Sequence, residues 1–245
     1  MLIFPDLFST HPVSAAISTR HGGISPAPYN SLNLDFRGDD PAPNREQNRS
    51  LFCKALGYGI HQLAGAVQVH GCEILHVTQP GHFEGYDALI TDVPGILIGV
   101  SVADCTPILI YDAEHRAVAA IHAGWKGTAG RIVERTLLRM NAQWGTEGYS
   151  CYAWIGPCIS IKHFEVGDEV AEQFEDDLKI WNLQSGKYHI DLKKANATQL
   201  EAFGIPSGQI EIAPFCTVSD NKDFFSWRAE KGVTGRMLAA IGIPP

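Results

Sequence analysis

Residues 95–112, "GILIGVSVADCTPILIYD", hold two apolar runs separated by "ADCTP". Aliphatic residues at alternating positions mark each run as a strand, and the polar, proline-containing break marks where the chain turns. In the first run Ile96, Ile98, Val100 and Val102 share one face, because successive strand side chains point to opposite sides. Next along the chain, "AVAAIHAG" (117–124) reads as a third strand. The same period of two places Val118, Ala120 and His122 on one of its faces. "GTAGRIVERTLLRMNAQWG" (127–145) then reads as one amphipathic helix, with Ile132, Val133, Thr136, Leu137 and Met140 as its apolar stripe.

Further strands are expected in "AGAVQVHG" (64–71), "CEILHVT" (72–78), "YAWIGP" (152–157), "KYHIDL" (187–192) and "QIEIAPF" (209–215). Helices are expected from near Asn44 to a stop at Gly57, in "GDEVAEQFEDDL" (167–178) and in "LKKANATQLEAFG" (192–204). Residues 22–50 are rich in Gly, Pro, Asn and Asp and read mostly as loop. Strands and helices mix without a strict βαβα rhythm. The expectation is one α/β domain over 1–245, with a mixed, largely antiparallel sheet and flanking helices.

Composition narrows the function. The 245 residues carry a formal net charge of −8, which argues against nonspecific nucleic-acid binding. No run approaches the roughly 20 apolar residues of a membrane span, and no secretory signal is visible at the N-terminus. The six cysteines form no CxxC pair, so reduced thiols in a cytoplasm are expected. No phosphate loop, GxGxxG or GxSxG motif is present. A small-molecule substrate is expected, with no nucleic-acid or membrane partner.

Three soft ligands stand at strand ends: His70 before Gly71, Cys105 before Thr106-Pro107, and His122 before Ala123-Gly124. Imidazole and thiolate together favour zinc or copper, and three protein ligands leave a fourth position open for catalysis. The same residues also read as ordinary strand-end histidines and a buried thiol. A third reading pairs Cys105 as nucleophile with His122 as base and no metal, with Asp104 or another acid orienting the histidine. Asp104 equally suits a turn residue.

The motifs "QVHG" (68–71), "VADCTP" (102–107), "HAGWKG" (122–127) and "IGPCI" (155–159) resemble, in this order, those of the YfiH-like or laccase-domain family, also called the multicopper polyphenol oxidoreductase family. "STRHGGISPAPYNSLNL" (18–34), "NR" (44–45), "FEVG" (164–167) and "CTVSDNKDFFSWRAEKGVTGR" (216–236) extend the resemblance over almost the whole chain. It implies a fold similar to the catalytic domain of cytotoxic necrotizing factor toxins. It also implies zinc bound through His70, Cys105 and His122, with copper as the older description. The implied activity is phosphorolysis of adenosine, inosine, guanosine and methylthioadenosine, together with deamination of adenosine. Copper-dependent polyphenol oxidation and a Cys–His hydrolase acting on a peptidoglycan precursor are the alternatives. The chain has no His-x-His, which disfavours a multicopper site.

Deamination needs an acid, for which Asp104 and Glu165 are candidates. Phosphorolysis needs cationic donors for phosphate. Arg20, Arg45, Lys126 and Arg228 lie in the motifs, and Arg45 is best placed because Asn44 is expected to cap a helix. Trp125 and Tyr29 are the aromatics considered for stacking on a purine. Two positions depart from the pattern: Lys126 stands where the family usually has Arg, and Ala229 where it has a second Arg after Arg228.

Overall fold

The computed structural model describes residues 2–245. Its strands are β1 (Leu2–Ile3), β2 (Ser14–Ser18), β3 (Leu63–Val67), β4 (Ile74–His76), β5 (Gly81–Glu84), β6 (Ala88–Thr91), β7 (Leu97–Val102) and β8 (Thr106–Asp112). They continue with β9 (Ala117–Ala123), β10 (Cys151–Ile155), β11 (Glu165–Val166), β12 (Lys179–Asn182), β13 (Lys187–Ile190), β14 (Ile210–Ile212) and β15 (Met237–Gly242). The helices are α1 (Ala42–Ala55), α2 (Trp125–Ala129), α3 (Ile132–Trp144), α4 (Asp168–Ala171) and α5 (Leu192–Ala202). None is long and apolar enough to cross a membrane.

The single expected sheet is two six-stranded sheets, ordered β1-β2-β15-β7-β3-β5 and β14-β10-β8-β9-β6-β4, with a small β11-β13-β12 sheet beside them. Both large sheets are mixed. Antiparallel pairs such as β8–β9 and β7–β15 sit beside parallel ones such as β3–β7 and β4–β6.

Alternation along the strands explains the layers. In β9, Val118 and Ala120 join a core shared with Ile98, Val100 and Val102 of β7, so the two sheets face each other. Ala117, Ala119, Ile121 and Ala123 point the other way, against Ile132, Val133, Leu137 and Met140 of α3. The outer face of the first sheet is covered by Phe52 and Cys53 of α1 and by Leu32 and Leu34. Strands covered on both sides read as near-continuous apolar runs, as β8 and β9 do. Leu109 of β8 lies fully buried between the sheets. Leu109→Ala is expected to lower unfolding free energy by about 2–5 kcal/mol, read as a shifted denaturant midpoint at unchanged slope.

Several elements differ from expectation for local reasons. The expected 127–145 helix is broken into α2 and α3 at Arg131, whose backbone is left-handed with φ 60°. The 167–178 helix stops after Ala171. There Lys179 Nζ takes the Ala171 and Phe174 carbonyls, at 3.3 and 2.9 Å. β3 ends at Val67 rather than reaching Gly71. Beyond it the Gln68 side chain takes over the pairing, donating to Ser101 O at 2.7 Å and accepting from Ser101 N at 2.9 Å. β2 and β15 join the first sheet in addition to the strands expected from the sequence. All six cysteines are free.

Candidate active site: a His, Cys, His cluster in an arginine-lined cavity

The end of β7, the start of β8, the end of β9 and the segment after β3 converge at one end of the sandwich. There the ligand atoms of His70, Cys105 and His122 lie within 4.8 Å of one another. His122 continues the inward face of β9 and is buried, whereas His70 is exposed on a turn with φ 60°. Cys105 follows Asp104, whose φ is 90°.

Asp87, immediately before β6, ties the cluster together and is fully buried. Its Oδ1 lies 2.7 Å from His122 Nδ1 and accepts from His70 N at 3.0 Å. Its Oδ2 accepts from Gly71 N at 2.7 Å and Val69 N at 3.2 Å. One carboxylate thus orients one ligand ring and shapes the turn that carries another. A carboxylate on Nδ1 leaves Nε2 of His122 free to ligate, the usual arrangement behind a metal-bound histidine.

The electrostatics agree with the contacts. Burial alone would push the Cys105 thiol up, but His122 and then His70 outweigh it and bring it down to about 6. Burial opposes protonation of His122, yet Cys105 and Asp87 raise it to about 9. Burial likewise works against an ionised Asp87. The hydrogen bond and charge of His122, with the Gly71 and Val69 N–H groups, still hold its carboxyl below the ordinary range.

These residues fit a borderline metal ion. Two imidazoles and a thiolate are a zinc-type donor set. The backbone also keeps the space between them clear. A Cβ on Gly124 would stand 3.0 Å from His70 Cδ2 and 3.1 Å from Cys105 Sγ. Gly124 has an ordinary φ of −71°, so close approach rather than turn geometry demands glycine here. Gly124→Ala is expected to weaken metal affinity about tenfold while leaving the fold intact, measured by competition with a chromophoric chelator.

The cluster forms part of the wall of a cavity of about 490 Å³. This is the size of a small-molecule site. Arg37, Arg228 and Arg236 line the same cavity, as do Phe164 and Trp227. Arg236 lies 5.0 Å from the Trp227 ring centroid and Arg228 5.7 Å from that of Phe164.

A family model described as multi-copper polyphenol oxidoreductase laccase matches residues 14–244. The chain belongs to this family. It is 43% identical over 246 residues to a Deinococcus radiodurans protein named purine nucleoside phosphorylase, covering 100% of this chain and 93% of the relative. It is 35% identical over 244 residues to adenosine deaminase RL5 of an unknown prokaryotic organism, covering 92% of each. The crystal structure of YlmD from Geobacillus stearothermophilus matches with a TM-score of 0.92 at 31% identity, over 98% of this chain and 94% of that one. Relatives bearing these names support an enzyme of this kind, acting on small molecules.

Within this laccase-domain chain, the motif residues fall into two groups. His70, Cys105, His122, Asp104 and Arg228 line the cavity, whereas Arg20, Arg45 and Lys126 do not. Arg20 pairs with Glu230 at 3.0 Å and donates to Asn221 O and Asn30 O. Arg45 donates through Nε to Asp40 O at 3.0 Å. Lys126 is exposed, 5.6 Å from the Trp125 ring centroid. Glu165 pairs with Lys187 at 3.3 Å, and neither it, Trp125 nor Tyr29 lines the cavity. Asp104 accepts three hydrogen bonds: from Thr217 Oγ1 at 2.6 Å, Ser226 Oγ at 2.7 Å and Arg228 N at 2.7 Å. It thereby fastens the 217–228 segment beside Cys105. Sequence reasoning passed over Asp87, Arg37, Arg236 and Phe164. Asp87 is a lone acid before the apolar "ALIT" run and carries no spacing signal. Arg236 and Phe164 lie inside recognised motifs without standing out from their neighbours.

Proposed function

We propose that this protein is a zinc-dependent purine nucleoside enzyme that phosphorolyses adenosine, inosine, guanosine and methylthioadenosine, and deaminates adenosine. The observation that carries this reading is one cavity holding a His, Cys, His cluster together with guanidinium donors and aromatic faces. The relatives' names give the reading its substrate class.

His70, Cys105 and His122 hold the ion, and Asp87 fixes the His122 ring. When bound, zinc supplies a Lewis acid that polarises a ligated oxygen or nitrogen. Phe164 and Trp227 offer flat apolar faces to a purine. In phosphorolysis an oxygen of hydrogen phosphate bonds to C1′ of the ribose as the C1′–N bond breaks, and the purine leaves with the proton that the phosphate gives up. Arg228 donates to the phosphate, holding its charge through the transfer. Asp104 positions Arg228 by accepting its backbone N–H. In deamination water adds at C6 and ammonia leaves.

We also read the chain as one structural unit over 1–245 in a reducing cytoplasm, supported by six free cysteines. Copper suits the same three ligands and is the variant that the family description suggests. The test is chromatography of adenosine incubated with metal-quantified protein, with and without phosphate. Adenine and ribose 1-phosphate are expected with phosphate, and inosine without it. Formation of neither product would overturn the reading.

One observation favours a second reading. His122 stands between Cys105 and Asp87, the order of a thiol nucleophile, base and orienting acid. That reading gives His70 no role. A Cys–His hydrolase would cleave an amide-containing peptidoglycan precursor after complete metal removal, whereas the zinc reading predicts no such cleavage.

A further inference from the structure

The charge inside the cavity runs against the charge of the chain. A protein of net charge −8 lines this one space with Arg37, Arg228 and Arg236 against the acids Asp35 and Asp104. Asp104 already serves three donors of the 217–228 segment. Arg228 uses two of its N–H donors on His163 O and Glu165 O. Arg236 uses two on Thr234 O and Gly235 O. A guanidinium has five donors, so each is held in place with donors to spare.

Arg37 differs from both. Its backbone N–H donates to Asp35 Oδ1 at 3.3 Å, but among the described residues its guanidinium has no hydrogen bond or ion pair. It is exposed at the cavity, on the stretch before Gly38, whose φ is 118°. A cationic side chain left with every donor free, beside two anchored guanidiniums, is arranged to meet an anion from solvent.

We propose that Arg37, Arg228 and Arg236 form a phosphate-oxyanion subsite, and that Arg37 is its capturing residue. The proposal rests on the nucleoside-enzyme reading only in identifying phosphate as the oxyanion. The oxyanion is inorganic phosphate or the phosphate group of a nucleotide.

The experiment is calorimetric titration of zinc-loaded protein with inorganic phosphate and, separately, with adenosine 5′-monophosphate, in wild type, Arg37→Ala and Arg37→Lys. Metal content and melting temperature serve as controls for folding. Arg37→Ala is expected to weaken phosphate binding about ten- to a hundredfold, the effect of losing a charge-assisted contact, with Arg37→Lys intermediate. The KM for phosphate in phosphorolysis should rise in parallel, with kcat changing less. Weakening confined to the monophosphate would place the oxyanion on a nucleotide and still support the subsite. Equal affinities in wild type and Arg37→Ala for both ligands would overturn it. Arg37-dependent phosphate binding in a protein that turns over no nucleoside would leave the subsite standing and remove the nucleoside reading. Phosphorolysis with an unchanged KM for phosphate in Arg37→Ala would do the reverse.

Discussion

Cys105→Ala is expected to abolish tight metal binding and to lower both phosphorolysis and deamination at least about a hundredfold, the loss of several kcal/mol of Lewis-acid stabilisation. Elemental analysis and product chromatography on one preparation read both effects. The thiol is the ligand shared by the two histidines, which bring it down to about 6 and so supply a thiolate at neutral pH. Alanine leaves two imidazoles, one of them on an exposed turn. The fold should survive, because Cys105 is half-buried and only flanks the inter-sheet core. Full metal content in this variant would place the ion elsewhere.

Asp87→Ala should produce the second-largest effect, and it should act on stability as well as on the site. Four hydrogen bonds converge on this buried carboxylate, three of them from backbone N–H groups of the 69–71 turn. Removing it leaves those donors and a buried histidine without their acceptor. A loss of about 3–5 kcal/mol in unfolding free energy follows, measured by denaturant titration. Asp87→Asn separates the two roles. It keeps the shape and an acceptor oxygen but removes the charge, so stability should fall less. Metal affinity should still drop about ten- to a hundredfold, the usual cost of losing the carboxylate behind a ligating histidine. Wild-type metal affinity in Asp87→Asn would mean that Asp87 serves the turn alone.

The strands that build the site were legible because alternation is a local property. The sequence places Ile98, Val100, Val102, Val118 and Ala120 on faces that the sandwich core reproduces. Two facing sheets were not legible, since period-two patterns say which face is buried but not against what. β15 pairs with β2 and β7 across more than 200 residues of chain on one side, and no local signal carries such a partnership. The three soft ligands stood out by residue type and by the turns beside them. Asp87 did not, because a carboxylate that orients a ligand looks in sequence like any acid. The cationic residues show the limit most plainly. Arg20 and Arg45 lie within recognised motifs yet hold loops together, while Arg37 and Arg236 reach the cavity.

The most direct test of the account is removal and return of the metal. Purified protein should carry about one zinc per chain. Dialysis against a strong chelator should lower adenosine turnover in proportion to the zinc lost. One equivalent of zinc should restore it in wild type but not in Cys105→Ala. Full turnover of adenosine by protein shown by elemental analysis to be metal-free would contradict the account.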